Sequence, residues 1–182
     1  MKLLIASDLH GSADAMRTLA ARIEEFEPDK ILLLGDLLYH GPRNDLPQGY
    51  APKQVIPILN ELKGKIVAVR GNCEAEVDQM VLDFPCMDDY ALLEVDGLVL
   101  GLSHGHIYSA QQLPPAEHID VFMSGHTHVK VLEQRADGLI VLNPGSTTIP
   151  KDGSASYATY ENGVFALHAL DNGVVLQKLN VR

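Results

Sequence analysis

The sequence predicts an α/β fold in which two mixed β-sheets pack face to face as a sandwich, with helices on the outer faces. Three observations predict it. Up to residue 69, short apolar runs alternate with helical patterns. From residue 90 onward, β-rich runs are separated by Asp-Gly and Asn-Gly pairs, which are hairpin signals. The chain has 182 residues, 46% of them hydrophobic and 21% charged, an ordinary composition for a single globular domain over residues 1–182 with a sizeable core.

The first element, Lys2 to Ser7, reads as a buried strand. Residues 13–26 place Met16, Leu19, Ile23 and Phe26 on one helical face, with Ser12 in position to cap the start. Ile31 to Leu34 is a second strand, succeeded by the Gly/Pro-rich loop HGPRNDLPQGYAP. Val55, Ile56, Leu59 and Leu62 then recur at helical spacing, and Pro57 within that pattern predicts a kink or a later start. Ile66 to Val69 is the third strand. This βαβαβ order predicts a mostly parallel sheet with helices against it. The runs YALLEV, LVLGLS, VFMS, VLEQR, LIVLN, YATY, VFALHAL and VVLQKLNV predict a largely antiparallel sheet in the second half. No linker, low-complexity tract or internal repeat interrupts the chain.

Charge and cysteine content exclude several function classes. The net charge is −10, and no Lys/Arg cluster offsets it, so long nucleic acid is an unfavourable partner. A small anionic ligand stays open, because a bound cation reverses the local field. Two cysteines, Cys73 and Cys86, are fewer than a disulfide framework needs and fit a reducing compartment, the cytoplasm, although one bridge between them remains open. The start, MKLLIAS, lacks the apolar region of a signal peptide and reads as a strand. No run approaches the ~18 apolar residues of a membrane span.

The functional signal lies in the polar residues at the carboxyl end of each strand. Asp8 and His10 come after the first, Asp36 after the second, and Asn72 after the third. His104 and His106 come after LVLGLS, and His126 and His128 after VFMS. Ligands of open α/β sheets bind at the carboxyl ends of strands. Each residue taken alone reads as a turn or loop residue. Together they deliver carboxylate, imidazole and amide groups to one rim, with flanking glycines that permit close backbone approach. In the GHTH segment, residues at i and i+2 of an extended chain point the same way. Such donors suit Mn²⁺, Fe²⁺ or Zn²⁺, and the seven of them besides His106 exceed the needs of one tetrahedral ion. A carboxylate such as Asp36 can bridge two ions, and a paired site suits phosphoryl transfer to water.

Read together, DLH, GD, GN, HGH and GHTH, extended by NPGS at 143–146, resemble the calcineurin-like metallophosphoesterase superfamily. The segments GDLLYHGPRN and RGNCEAEVDQM are similar to its small bacterial YfcE-type phosphodiesterases. The resemblance implies a two-metal site with Asp8, His10 and His128 on one ion, Asn72, His104 and His126 on the other, and Asp36 bridging. It implies a bridging hydroxide as nucleophile, acting on a small or nucleotide-like phosphodiester. Mn²⁺ is the expected metal, with Fe²⁺, Zn²⁺, Ni²⁺ and Mg²⁺ as alternatives.

Many superfamily members carry GNH where this chain has Cys73, and their histidine helps the transition state or leaving group. A thiol is a poor substitute for an imidazole proton donor, and two nearby cations would lower its pKa. Cys73 reads as a small neighbour of the site, a modest aid beside the leaving group, or a redox-sensitive group. His106 is expected at the pocket or its rim. Arg43, in the loop with His40, could grip a phosphate bidentately or lie in solvent. Asn143 to Ser146 are expected to buttress GHTH. His118, His168 and Cys86 fall outside the constellation. A phosphomonoesterase, a protein phosphatase and an interaction scaffold with a vestigial site, the use a retromer subunit makes of this fold, are the other readings. A scaffold can lose a histidine, and this chain has lost none. Uncovered sheet edges and apolar loop residues such as Leu46 and Tyr50 make a homodimer or higher homo-oligomer the expected assembly.

Overall fold

A computed structural model describes residues 1–181. The strands are β1 (Leu3–Ala6), β2 (Lys30–Leu33), β3 (Ile66–Ala68), β4 (Tyr90–Val95), β5 (Leu98–Ser103), β6 (Val121–Met123), β7 (Lys130–Gln134), β8 (Ile140–Pro144), β9 (Ser156–Glu161), β10 (Val164–Ala169) and β11 (Val175–Asn180). The helices are α1 (Ala13–Phe26), α2 (Pro52–Glu61) and α3 (Glu76–Val81).

Two mixed sheets form, with strand orders β11-β10-β9-β1-β2-β3 and β4-β5-β6-β8-β7. In the first, β1, β2 and β3 run parallel, as the βαβαβ order requires. The expectation of a separate antiparallel second half is corrected here. Strands β9, β10 and β11 return to the first sheet, with β9 antiparallel to β1. In the second sheet, β5, β6 and β8 are parallel to one another, and only β4 and β7 are antiparallel to their neighbours. Hairpin chemistry was legible locally: Asp96-Gly97 and Asn162-Gly163 both have positive φ at both positions, the turn that joins β4 to β5 and β9 to β10.

The side-chain alternation of a pleated strand sorts the core into layers. Leu3 and Ile5 of β1 and Leu32 of β2 point between the sheets, where they meet Leu100, Val121, Met123, Ile140 and Leu142. Leu4, Ala6, Ile31 and Leu33 point the other way, onto Met16, Leu19 and Ile23 of α1 and Val55 and Leu59 of α2. Ser12 caps α1 as predicted, its hydroxyl accepting from the Ala15 amide at 3.2 Å. Helix α2 starts at Pro52 and carries Pro57 inside it, so the pattern begins no later than it reads. The short α3 has no counterpart among the elements expected from apolar spacing.

Among the described residues, helices cover the outer face of the first sheet only. Both crossovers between parallel β1, β2 and β3 place their helix on the same side. On the outer face of the second sheet, Phe122 and Leu139 are covered by Ile119, with Tyr108 and Ala110 beside them, from the loop between β5 and β6. No helix among the described residues is long and apolar enough to cross a membrane.

Candidate metal centre

The ends of β1, β2, β3, β5 and β6 converge on one rim and bring the predicted side chains together. Backbone pairing continues past the strands. The amides of Asp8, His10 and Gly11 donate to the carbonyls of Gly35, Asp36 and Leu37 at 3.1, 2.9 and 2.9 Å. The Gly125 amide donates to the His104 carbonyl at 2.8 Å. Asp8, His10, Asp36, His126 and His128 all adopt left-handed φ, between 46° and 66°. Non-glycine residues rarely do so, and such backbone clusters at functional sites. Gly71 and Gly125 make the approach feasible: a Cβ on Gly71 would collide with the Asp36 carboxylate, and one on Gly125 with the Ser7 hydroxyl and, at 2.6 Å, an Asp8 oxygen.

Three histidines are oriented in the same manner. The Nδ1 atoms of His10, His104 and His128 lie 2.9, 2.6 and 2.6 Å from the carbonyl oxygens of Tyr39, Leu34 and Ile149. A carbonyl only accepts, so each Nδ1 carries a proton, and in the neutral ring each Nε2 presents its lone pair inward. At one end of the cluster, His10 Nε2 and His128 Nε2 are 3.3 Å apart, and Asp8 Oδ1 lies 3.6 and 3.1 Å from them. Asp8 Oδ1 is buried and accepts no hydrogen bond, while Oδ2 accepts from the His126 amide at 3.1 Å. At the other end, His104 Nε2 lies 3.2 Å from Asn72 Oδ1. The ring of His126 is 5.1 Å from that of His104. One oxygen of Asp36, Oδ2, stands between the ends, 3.8 Å from His10 Nε2 and 3.5 Å from His104 Nε2.

The electrostatics state the same requirement. Burial alone would raise the Asp8 and Asp36 carboxyls, but the neighbouring imidazoles, His10 and His128 beside Asp8 and His104 beside Asp36, hold both below the usual carboxylate range. Burial alone would lower His104, yet Asp36 and Asp8 push it up to about 9. His10 is likewise raised, against burial, by Asp8. Two buried carboxylates thus recruit positive charge onto imidazoles. A bare carboxylate oxygen, facing lone pairs and a carboxylate shared by both ends are features that divalent cations satisfy, so the residues fit the metals. Asp8, His10 and His128 could hold one ion, Asn72, His104 and His126 the other, and Asp36 could serve both.

The reason offered for GHTH needs correcting. Its two histidines do not share an extended segment: both are left-handed, and they serve opposite ends of the cluster. NPGS buttresses them as expected. Asn143 Nδ2 donates to the Gly125 carbonyl at 2.8 Å and to Thr127 Oγ1 at 3.1 Å, and Ser146 Oγ donates to the Asp8 carbonyl at 2.9 Å.

The remaining candidates lie around this cluster. His106 packs its ring 5.4 Å from that of His104, and burial and the charge of His104 lower its pKa. Cys73 donates its amide to Asp36 Oδ1 at 2.9 Å and its sulfur accepts from Asn72 Nδ2 at 3.3 Å. Without cations, burial and Asp36 push its thiol up, the reverse of the shift that two ions would cause. Cys73 and Cys86 are both free. Arg43 is exposed and lines a cleft of about 590 Å³ together with Asn44, Asn72, His126, His128 and Lys151. His118 pairs with Asp120 at 2.8 Å, and His168 stacks on Tyr157, both away from the rim.

Sequence reasoning missed Glu74 and Lys151. The Glu74 carboxylate accepts from the amides of Asp36 at 2.8 Å, Leu37 at 2.7 Å and Gly71, tying the loop after β2 to the loop after β3. The signal was an acidic residue two positions after Asn72, which has no pattern of its own.

A family model for the calcineurin-like phosphoesterase superfamily domain matches residues 1–163. The phosphodiesterase YfcE of Escherichia coli K12 is 42% identical over 182 residues, covering 100% of this chain and 98% of that protein. The solved structure of YfcE, described as a phosphoesterase from E. coli, matches with a TM-score of 0.95 over 100% of both chains. Vps29 from Entamoeba histolytica, solved with Zn²⁺, matches at a TM-score of 0.65 and 18% identity over 100% of both chains and shares the fold alone.

Proposed function

The chain belongs to the calcineurin-like phosphoesterase superfamily, and on that premise we propose that it is a metal-dependent phosphodiesterase acting on a small or nucleotide-like diester. The observation that carries this reading is the set of inward-facing Nε2 atoms around two buried carboxylates, each Nδ1 tied to a carbonyl. The metals are two divalent ions, Mn²⁺ first, one at the Asp8 end of the cluster and one at the His104 end. When bound, such a pair supplies Lewis-acid charge at the phosphoryl group and a water acidic enough to attack it.

The chain's own residues do the rest. The carbonyls of Tyr39, Leu34 and Ile149 keep three imidazoles in one tautomer and orientation. Glu74 and Asn143 hold the loops that carry Asp36 and His126. Arg43 and Lys151 place positive charge in the cleft where an anionic ester enters. Cys73 stands where an imidazole donor would stand in many relatives, so the site favours esters with good leaving groups. We place this activity in the cytoplasm, in residues 1–182 acting as one domain, as a homo-oligomer without long nucleic acid as substrate.

The test is hydrolysis of matched aryl phosphodiester and monoester substrates by chelator-stripped protein, then with Mn²⁺, Zn²⁺ or Mg²⁺ added. Metal-dependent turnover that favours the diester is expected. Preference for the monoester overturns the diesterase assignment. No turnover with any metal, from folded protein, returns the weight to the scaffold reading.

A further inference from the structure

A second cavity, of about 350 Å³, adjoins the metal cluster, and its wall is largely apolar. Tyr39, Tyr50, Ile56, Cys73, Val77 and Val81 contribute to it. Cys73 joins the two sites. Its sulfur lies within 4.8 Å of ligand atoms of both His10 and Asp36, yet it also lines the apolar cavity. Its neighbour Asn72 lines the polar cleft with Arg43 and Lys151. The residue pair 72–73 therefore separates a cationic cleft from an aromatic-walled one.

The aromatic wall is built, not incidental. The Tyr39 carbonyl orients His10, so this residue is held by the cluster itself. The His40 ring stands edge-on to both tyrosines, with centroids 4.7 Å from Tyr39 and 5.1 Å from Tyr50. Gly11 admits the Tyr50 ring, since a Cβ there would lie 2.7 Å from it. On the opposite side, Val77 is 59% exposed and Val81 37% exposed, an apolar lip on α3 open to solvent. Asp78, the carboxylate in this wall, has one oxygen engaged by the Ala75 amide at 2.9 Å.

A phosphodiester differs from a monoester in carrying a second organic arm. We infer that this cavity is the subsite for an aromatic arm of the diester, an aryl group or a nucleobase, whose ring lies between the tyrosines and α3 while the phosphoryl group sits at the metal cluster. The inference rests on the proposed diesterase activity. It also ascribes diester preference to a positive contact, beyond the missing imidazole at Cys73.

The experiment uses the Mn²⁺-loaded full chain with bis(p-nitrophenyl) phosphate and methyl p-nitrophenyl phosphate. These share a leaving group and differ in the second arm. Val77→Asp puts a charge on the lip, and its exposure leaves folding intact. Met80→Asp puts the same charge on α3 at a residue 82% exposed and outside the wall. Val77→Asp should raise KM for bis(p-nitrophenyl) phosphate about five- to tenfold, with kcat little changed, and Met80→Asp should leave both constants near wild type. A rise for the first substrate alone places the second ring in the cavity and supports the subsite; an equal rise for both places the leaving ring there, an arm a monoester also carries, and overturns it. Equal KM changes in the two variants, or none in Val77→Asp, overturn it. A Val77→Asp variant that alters the sedimentation of the protein but not its KM overturns it too, and assigns the wall to contact between copies of this chain. If the wild-type chain turns over neither substrate, the diesterase reading itself has failed.

Discussion

The two ends of the metal cluster are built differently. Asp8, His10 and His128 are closed into the molecule, at 0%, 0% and 4% exposure. At the other end His104 and the shared Asp36 are buried, but His126 is partly open and Asn72 faces solvent in the cleft. The closed end is assembled from loops after β1 and β6 that are locked by Ser146 and Asn143. The open end draws on β3, β5 and β6, and its loops are tied by Glu74. The difference teaches that one ion would be held as part of the fold, and the other as part of the cleft that meets substrate.

The comparison can be broken by removing the group that both ends share. Asp36→Ala should lower kcat/KM by about a thousandfold or more, the several kcal/mol that a charged metal clamp supplies. Retained activity in steady-state assays would show that the ends do not depend on a common carboxylate. The comparison is sharpened by taking one end at a time. His126→Ala should weaken one ion at least about a hundredfold while the tighter phase of a Mn²⁺ titration survives; His128→Ala should remove the tighter phase. Calorimetric titration separates the two, and a single uniform loss in both variants would refute the distinction.

Glu74→Gln comes next. It keeps the shape but not the charge that receives the amides of Asp36, Leu37 and Gly71, so Mn²⁺ affinity should fall about tenfold, chiefly at the open end. The pH dependence has a definite sign. His104 is raised from 6.5 to about 9, so its proton stabilises the metal-free fold fully below pH 6.5 and that stability is lost as pH rises through about 9. An ion at the open end displaces this proton. Mn²⁺ affinity there should rise with pH, by at most about tenfold per unit below 9, with proton release visible as buffer-dependent heat. The smallest effect belongs to the exposed cleft residue. Arg43→Ala should raise KM by no more than about fivefold and leave kcat and Mn²⁺ binding intact, as measured by initial rates.

Much of the candidate centre was legible because ligand-type residues stand directly after strands, and a parallel strand's end is a defined place. Asp8, Asp36, Asn72 and His104 needed no more than that. Glu74 was not legible, because its role is to accept amides from two loops that meet only in space. Lys151 lies in a loop with no motif. The GHTH histidines were found, but by an extended-chain argument that their left-handed backbone contradicts. The helix-free outer face of the second sheet was missed for a similar reason: the loop from residue 104 to 120 replaces a crossover helix, and apolar periodicity does not reveal which segment covers a sheet.

By itself, the sequence determined the strands, the capped first helix, the two primed hairpins and the residue types that reach the rim. Each depends on contacts a few residues apart: side-chain alternation, a Ser cap, an Asp-Gly or Asn-Gly turn. Tertiary structure alone decided that β9 to β11 close the first sheet. It alone made one group of histidines a closed end and the other an open one, and set an aromatic cavity against Cys73. Those outcomes depend on which strands are neighbours across the sheet, and pairing between segments more than a hundred residues apart leaves no local period to read.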